Sequence, residues 1–125
     1  MIKVLIPHNP EFWEYDAQVK DLYEKNQEKI CDSNSYEFVR DNTLFYIFLL
    51  NGNFIGSIYY FIEDGNLFLN GFAIPKNHLA NLFCLRLSLS WFVKPIFAEA
   101  QNRASALCLL RCGFKRKKGN LYVFK

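Results

Sequence analysis

The sequence lacks long apolar runs. Its most apolar stretch, residues 79–93, contains Arg86, and it falls short of the roughly 20 apolar residues that a bilayer crossing takes. It is expected to form a buried helix, with a helix lying on a membrane surface as the lesser alternative. No membrane partner is expected. The run from Met1 to Pro7 lacks the longer apolar region of a secretory signal, so a cytoplasmic protein is expected. Cysteine is sparse: Cys31, Cys84, Cys108 and Cys112. Without a secretion signal, free thiols are the default. There is no CxxC and no histidine cluster. Cys108 and Cys112 sit one helical turn apart with no further ligand beside them, so they read as small apolar residues on one helix face, and no metal is expected. Linkers, internal repeats and low-complexity segments are also missing. One domain over residues 1–125 is the expectation.

What is present is material for a core. Apolar residues make up 51% of the chain and charged residues 22%, which excludes a disordered chain. Phenylalanine occurs 13 times, and each ring buries a large area per ordered residue. Charge is unevenly spread. Residues 1–41 carry nine acidic and five basic side chains, whereas residues 42–125 carry three and ten. A basic second half suits an anionic ligand, either a phosphorylated cofactor or nucleic acid. Its densest cluster, Lys115, Arg116, Lys117 and Lys118, reads as a solvated basic turn.

Residues 2–6 read as a strand. Pro10 starts a helix with Asn9 at its N-cap, and Phe12, Tyr15, Val19, Leu22 and Tyr23 recur at helical spacing. Residues 26–34 are polar and read as a loop or frayed end. Ser35 caps a short second helix through Arg40. Residues 43–50, 54–62 and 67–74 form an antiparallel meander, with tight turns at Asn51-Gly52-Asn53 and Asp64-Gly65-Asn66. A helix over residues 79–93, apolar nearly all round, should be buried against the sheet. A strand over 96–100 follows. Asn102 then caps a fourth helix that Gly113 stops, and residues 114–117 and 121–124 close the chain as a hairpin. The order is β-α-α-β-β-β-α-β-α-β-β. The fold class is α+β in three layers, a mostly antiparallel central sheet flanked by helices.

This order resembles the GNAT superfamily of acetyl-CoA-dependent N-acetyltransferases over the whole chain. Asn102, Ser105, Cys108-Leu109, Arg111 and Gly113-Phe114 stand at the spacings of that family's late helix motif. Small, divergent GNAT-like proteins of tailed phages resemble the chain in size. The resemblance implies acetyl-CoA as cofactor and an amine acceptor. It further implies a third meander strand whose backbone, at Phe72, Ala73 and Ile74, binds the pantetheine arm as an added strand. Asn102, Ser105 and Leu109 would line that arm. Lys76, Asn77 and His78 would meet the phosphates near a helix N-terminus.

Three positions depart from the family pattern. The phosphate loop's glycines are missing, with Asn81 and Phe83 in their places, and Leu109 replaces the tyrosine that protonates the departing thiolate. His78 and Glu99 are the candidate proton-transfer residues. Three functions follow as expectations. The first is an N-acetyltransferase using direct transfer. The second is a catalytically degenerate GNAT-like module that binds a protein or sits in a virion. The third, ranked below them, is a nucleic-acid-directed enzyme. The acidic residues 10–42 suggest a cationic amine acceptor. A monomer or a homodimer fits equally.

Overall fold

The computed structural model describes residues 1–30 and 32–125. Strands β1 (Ile2–Leu5), β2 (Leu44–Leu50), β3 (Asn53–Glu63), β4 (Asn66–Ala73), β5 (Ile96–Glu99), β6 (Lys115–Lys118) and β7 (Leu121–Phe124) form one sheet in the order β1-β2-β3-β4-β5-β7-β6. Among the described residues only β4 and β5 pair in parallel. Helices α1 (Asp16–Ile30) and α2 (Tyr36–Asn42) cover one face, and α3 (His78–Leu89) and α4 (Arg103–Arg111) the other. The element order is the expected one.

The meander follows from its turn chemistry. Asn51 and Gly52, then Asp64 and Gly65, all take positive φ, the two-residue hairpin geometry that these residue pairs favour. Strand periodicity then sorts side chains between two cores. From β2, Phe45, Ile47 and Leu49 face α1 and α2, while Phe48 joins the α3 and α4 side. Phe12, Tyr23, Tyr36, Phe45, Tyr59 and Phe72 form a continuous aromatic network under α1 and α2.

Three boundaries differ from expectation. Pro10–Glu14 is a separate 3-10 turn, and the α-helix starts only at Asp16. Asn9 spends its side-chain oxygen on Ile6 N–H and leaves that turn uncapped by a side chain. The polar residues 26–29 are helical, because α1 runs on to bury Ile30. Helix α3 ends at Leu89, followed by a turn through Trp91, and it is buried on one side only: Leu82, Cys84, Leu85, Ser88 and Leu89 face the sheet, whereas Leu79 and Phe83 face outward.

Ser35 caps α2 as expected, its hydroxyl accepting from Phe38 N–H at 3.1 Å. Among the described residues no helix is long and apolar enough to cross a membrane, and no three metal-ligating side chains converge. Cys84, Cys108 and Cys112 are free thiols; the same expectation for Cys31 lies outside the described residues.

Candidate active site

Strands β4 and β5 stay together for only two residue pairs, Leu67 with Ile96 and Phe68 with Phe97. Beyond them β4 continues along β3, whereas β5 follows β7. The strands part, and a cavity of about 450 Å³ fills the gap. Leu69 to Ile74 form one wall and Ala98 and Glu99 the other, with α3 and α4 closing it through Leu82, Leu85, Asn102, Ser105, Cys108 and Leu109.

Phe72, Ala73, Ile74, His78, Glu99, Asn102, Ser105 and Leu109 therefore meet around one cavity, while Lys76 and Asn77 do not line it. Asn77 spends its amide on Ile74 C=O and its own carbonyl on the Asn81 side chain. Among the three β4 residues the ladder register distinguishes one. Ile74 N–H bonds Ile55 C=O across to β3, and alternate residues of a strand direct their backbone groups to opposite edges. Ala73 and Gly71 thus turn theirs toward the gap. The Asn70 side chain accepts from Gly71 N–H at 2.8 Å, which leaves Ala73 as the position facing the cavity with a free ladder edge. A narrow groove with apolar walls and one unpaired strand edge suits an extended, amide-bearing chain.

Two asparagine side chains build the helix side, one on α3 and one at the start of α4. Gly56 on β3 carries no Cβ, and the Asn81 amide occupies that space; a methyl group there would collide with Asn81 Oδ1. Asn81 Nδ2 in turn donates to Ile55 C=O at 3.2 Å and to Asn77 C=O at 3.1 Å. Asn81 thus pins the first turn of α3 to β3 where the family pattern would place a glycine. On α4, Asn102 accepts from Ser105 N–H at 2.8 Å and from Ser105 Oγ at 3.1 Å. That is an N-cap with its side chain already engaged.

The α3–α4 seam joins residues through contacts that the sequence pattern does not show. Arg111 Nη1 lies 3.0 Å from His78 Nε2. A guanidinium only donates, so Nε2 is the acceptor and the ring proton sits on Nδ1. Arg86 donates to Arg111 C=O at 2.8 Å. Cys108 and Cys112 stand one turn apart at the end of α4. The Cys112 thiol and the charges of Arg111 and Arg86 lower the Cys108 thiol, while the same pairing and burial push Cys112 up.

A second cavity of about 280 Å³ adjoins the first and shares Ile30, Leu69, Asn70, Glu99 and Gln101 with it. Asp32, Glu63 and Glu99 contribute carboxylates, Phe61 and Phe68 contribute ring walls, and no cationic side chain among the described residues lines it. Tyr59 donates to Asp32 Oδ2 at 2.7 Å, and Asn70 donates to Tyr59 Oη and to Ile30 C=O, both at 3.0 Å. These bonds fasten the segment after α1 to β4. Burial first, then the Asp32 carboxylate, holds the Tyr59 hydroxyl protonated well above its ordinary range.

A diverging parallel strand pair within an otherwise antiparallel seven-stranded sheet is a distinctive arrangement, and the chain as a whole is similar in fold to solved structures. An N-acetyltransferase from Staphylococcus aureus Mu50 superposes with a TM-score of 0.72 at 14% identity, covering 100% of this chain and 97% of that one. An acetyltransferase from Streptococcus agalactiae gives 0.64 at 20% identity, covering 98% and 97%. A GNAT family acetyltransferase from Brucella melitensis, solved with acetyl-CoA, gives 0.56 at 12% identity, covering 99% and 87%. The fold is that of the GNAT acetyltransferases. At these identities the likeness is one of fold. No protein-family profile matches the sequence, and no curated protein matches it. Within the GNAT fold the β4–β5 gap is the place where this chain's candidate residues converge, and Leu109, buried on the cavity wall, offers no proton there.

Proposed function

We propose that the chain is an acetyl-CoA-dependent N-acetyltransferase acting on a cationic amine. The observation that carries this reading is the open β4–β5 gap with the strand edge of Ala73 exposed along it. Acetyl-CoA would supply the acetyl group as a thioester. Ala73 would hold its pantetheine arm as a neighbouring strand would, and Asn102, Ser105 and Leu109 would line the arm. Lys76, His78 and Arg111 supply positive charge or hydrogen-bond donors on the side where the missing glycine loop would have stood. The Brucella protein of the same fold, solved with acetyl-CoA, supports this choice of ligand.

The acceptor would enter through the acidic second cavity. Carboxylates attract an ammonium group, and the Phe61 and Phe68 rings suit its alkyl portion. A protonated amine cannot attack a carbonyl, so a base must take its proton first. Glu99 stands where the two cavities meet and fills that role, directly or through one water. The acceptor nitrogen would then bond the acetyl carbon as the thioester C–S bond breaks. The electron pair would leave with sulfur as the coenzyme A thiolate, which would take the second proton lost by the nitrogen, directly or through water. Transfer of this kind rests chiefly on positioning. His78, whose Nε2 is engaged by Arg111, positions that arginine and is not the base.

Calorimetric titration with acetyl-CoA, followed by a turnover assay over cationic, neutral and anionic amines, tests the reading. Binding and preferential turnover of cationic amines are expected. Glu99→Gln should lower kcat by about 10²-fold or more, the usual scale of general base catalysis, with cofactor affinity retained. His78→Ala should instead weaken cofactor affinity. Leu109 favours a second reading, a GNAT-fold module that binds without turnover. Acetyl-CoA binding with no transfer to any amine would select it, and absence of binding would reject both.

A further inference from the structure

The outer side of α3 is apolar where a helix of a monomeric domain is ordinarily polar. Leu79, Phe83, Leu87 and Trp91 recur every four residues, and all four are exposed, Leu79 at 78% and Phe83 at 56%. A step of four residues turns a helix by 40°, so Leu79, Phe83 and Leu87 form one slowly winding stripe on α3, and Trp91 follows it in the turn after the helix. Trp91 is held in place at its end by the Tyr46 ring, 4.9 Å away. Neither core uses these exposed side chains.

Charge identifies what fits the stripe. Arg86 lies seven residues after Leu79 and three after Phe83, exposed on the flank of the stripe toward α4, where it donates to Arg111 C=O. Lys94, past the stripe's end, is exposed with its ammonium 4.6 Å from the Phe124 ring centroid. Helices α3 and α4 hold no carboxylate, and Glu99 is the sole acidic residue from 65 to 125, against ten Lys and Arg. A second copy packed through the same face would set these cations against their own images with nothing to pair them. Water alone would leave a contiguous apolar stripe exposed. An anionic lipid surface satisfies both halves of the pattern: acyl boundary for the apolar side chains, headgroups for the cations, and an amphipathic ring at the level between.

We propose that the outer face of α3 docks on an anionic membrane surface, seating Leu79, Phe83 and Leu87 at the acyl boundary with Arg86 and Lys94 on the headgroups. The docking is peripheral and independent of acetyl transfer. It replaces the expectation of a helix without a membrane role.

Co-sedimentation with vesicles of phosphatidylserine and phosphatidylcholine, against phosphatidylcholine alone, tests it on the full chain. The protein should pellet with the anionic vesicles, less so as salt rises, and its tryptophan emission should shift to the blue. Leu79→Ser with Phe83→Ser should reduce vesicle binding about tenfold or more. Both side chains are more than half exposed, so circular dichroism should stay unchanged. Lys94→Glu should weaken binding chiefly at low salt. Three results would overturn the proposal: equal pelleting with both vesicle types or with neither, undiminished binding by the double variant, or a solution dimer that the double variant dissolves, which would assign the stripe to a second copy.

Discussion

Cys108 is a small residue whose chemistry is set by its neighbours. In a helix pattern it reads only as a small apolar position one turn before Cys112. The folded seam adds what the pattern does not contain: the Cys112 thiol set against Cys108, with the charges of Arg111 and, from α3, Arg86 beside it, all lowering the Cys108 thiol. Thiolate is the reactive form, so a lowered thiol is the more reactive one. Cys84 is buried and pushed up to about 11 by that burial. Iodoacetamide should therefore label Cys108 well before Cys84. The Cys108 labelling rate should reach its plateau at a lower pH than that of an ordinary thiol. Peptide mapping over a pH series checks this; equal rates at the two sites would contradict the lowered thiol. If the cavity takes acetyl-CoA, the same label should be slowed by the ligand, since Cys108 lines that wall.

At the scale of elements, turn and cap chemistry was the most legible part. Asn51-Gly52 and Asp64-Gly65 announce their hairpins, and Ser35, Asn102 and Gly113 mark helix ends where the structure has them. Faces were harder to read. Residues 26–29 are polar and yet helical: Asn26 and Gln27 are half-buried and spend their side-chain amides on backbone carbonyls, and the buried Ile30 follows them in α1. Helix α3 is apolar all round, so its periodicity carries no information about which side is covered. The site was legible as a set of elements and less so as contacts: Asn81 against Gly56, and Arg111 against His78, depend on how α3 settles on the sheet.

Two substitutions probe that settling. Gly56→Ala forces the Asn81 amide out of its place and frees the first turn of α3. A loss of about 1–3 kcal/mol in urea unfolding is expected, the usual scale of overpacking. Asn102→Ala removes the cap of α4 and should cost about 1 kcal/mol, seen as a melting temperature lower by a few degrees. A silent Gly56→Ala would mean that Asn81 does not dock the helix.

Across the whole molecule, the two cores sit on opposite faces of a sheet that is continuous at one end and open at the other. The sheet holds together through β4 and β5 over two residue pairs and then relies on α3 and α4 to bridge the gap. The basic edge strand β6, with all four residues exposed and cationic, resists pairing with a further strand on that side. The interior gap has no such guard. Its free strand edge at Ala73 is where, on the function proposed above, acetyl-CoA would lie.

That open seam makes ligand occupancy and folding stability one equilibrium. Whatever lies along Ala73 acts as an eighth strand borrowed from solution, and unfolding the protein then requires giving it back. At a ligand concentration 100 times its Kd, the native state gains about 2.7 kcal/mol. Melting temperature should rise with acetyl-CoA concentration without saturating at one equivalent. Ala73→Pro, which removes the exposed N–H, should flatten that slope while the unliganded melting temperature moves far less. The chain would then be judged by its melting curve in a cofactor-replete solution, where its incomplete sheet is complete.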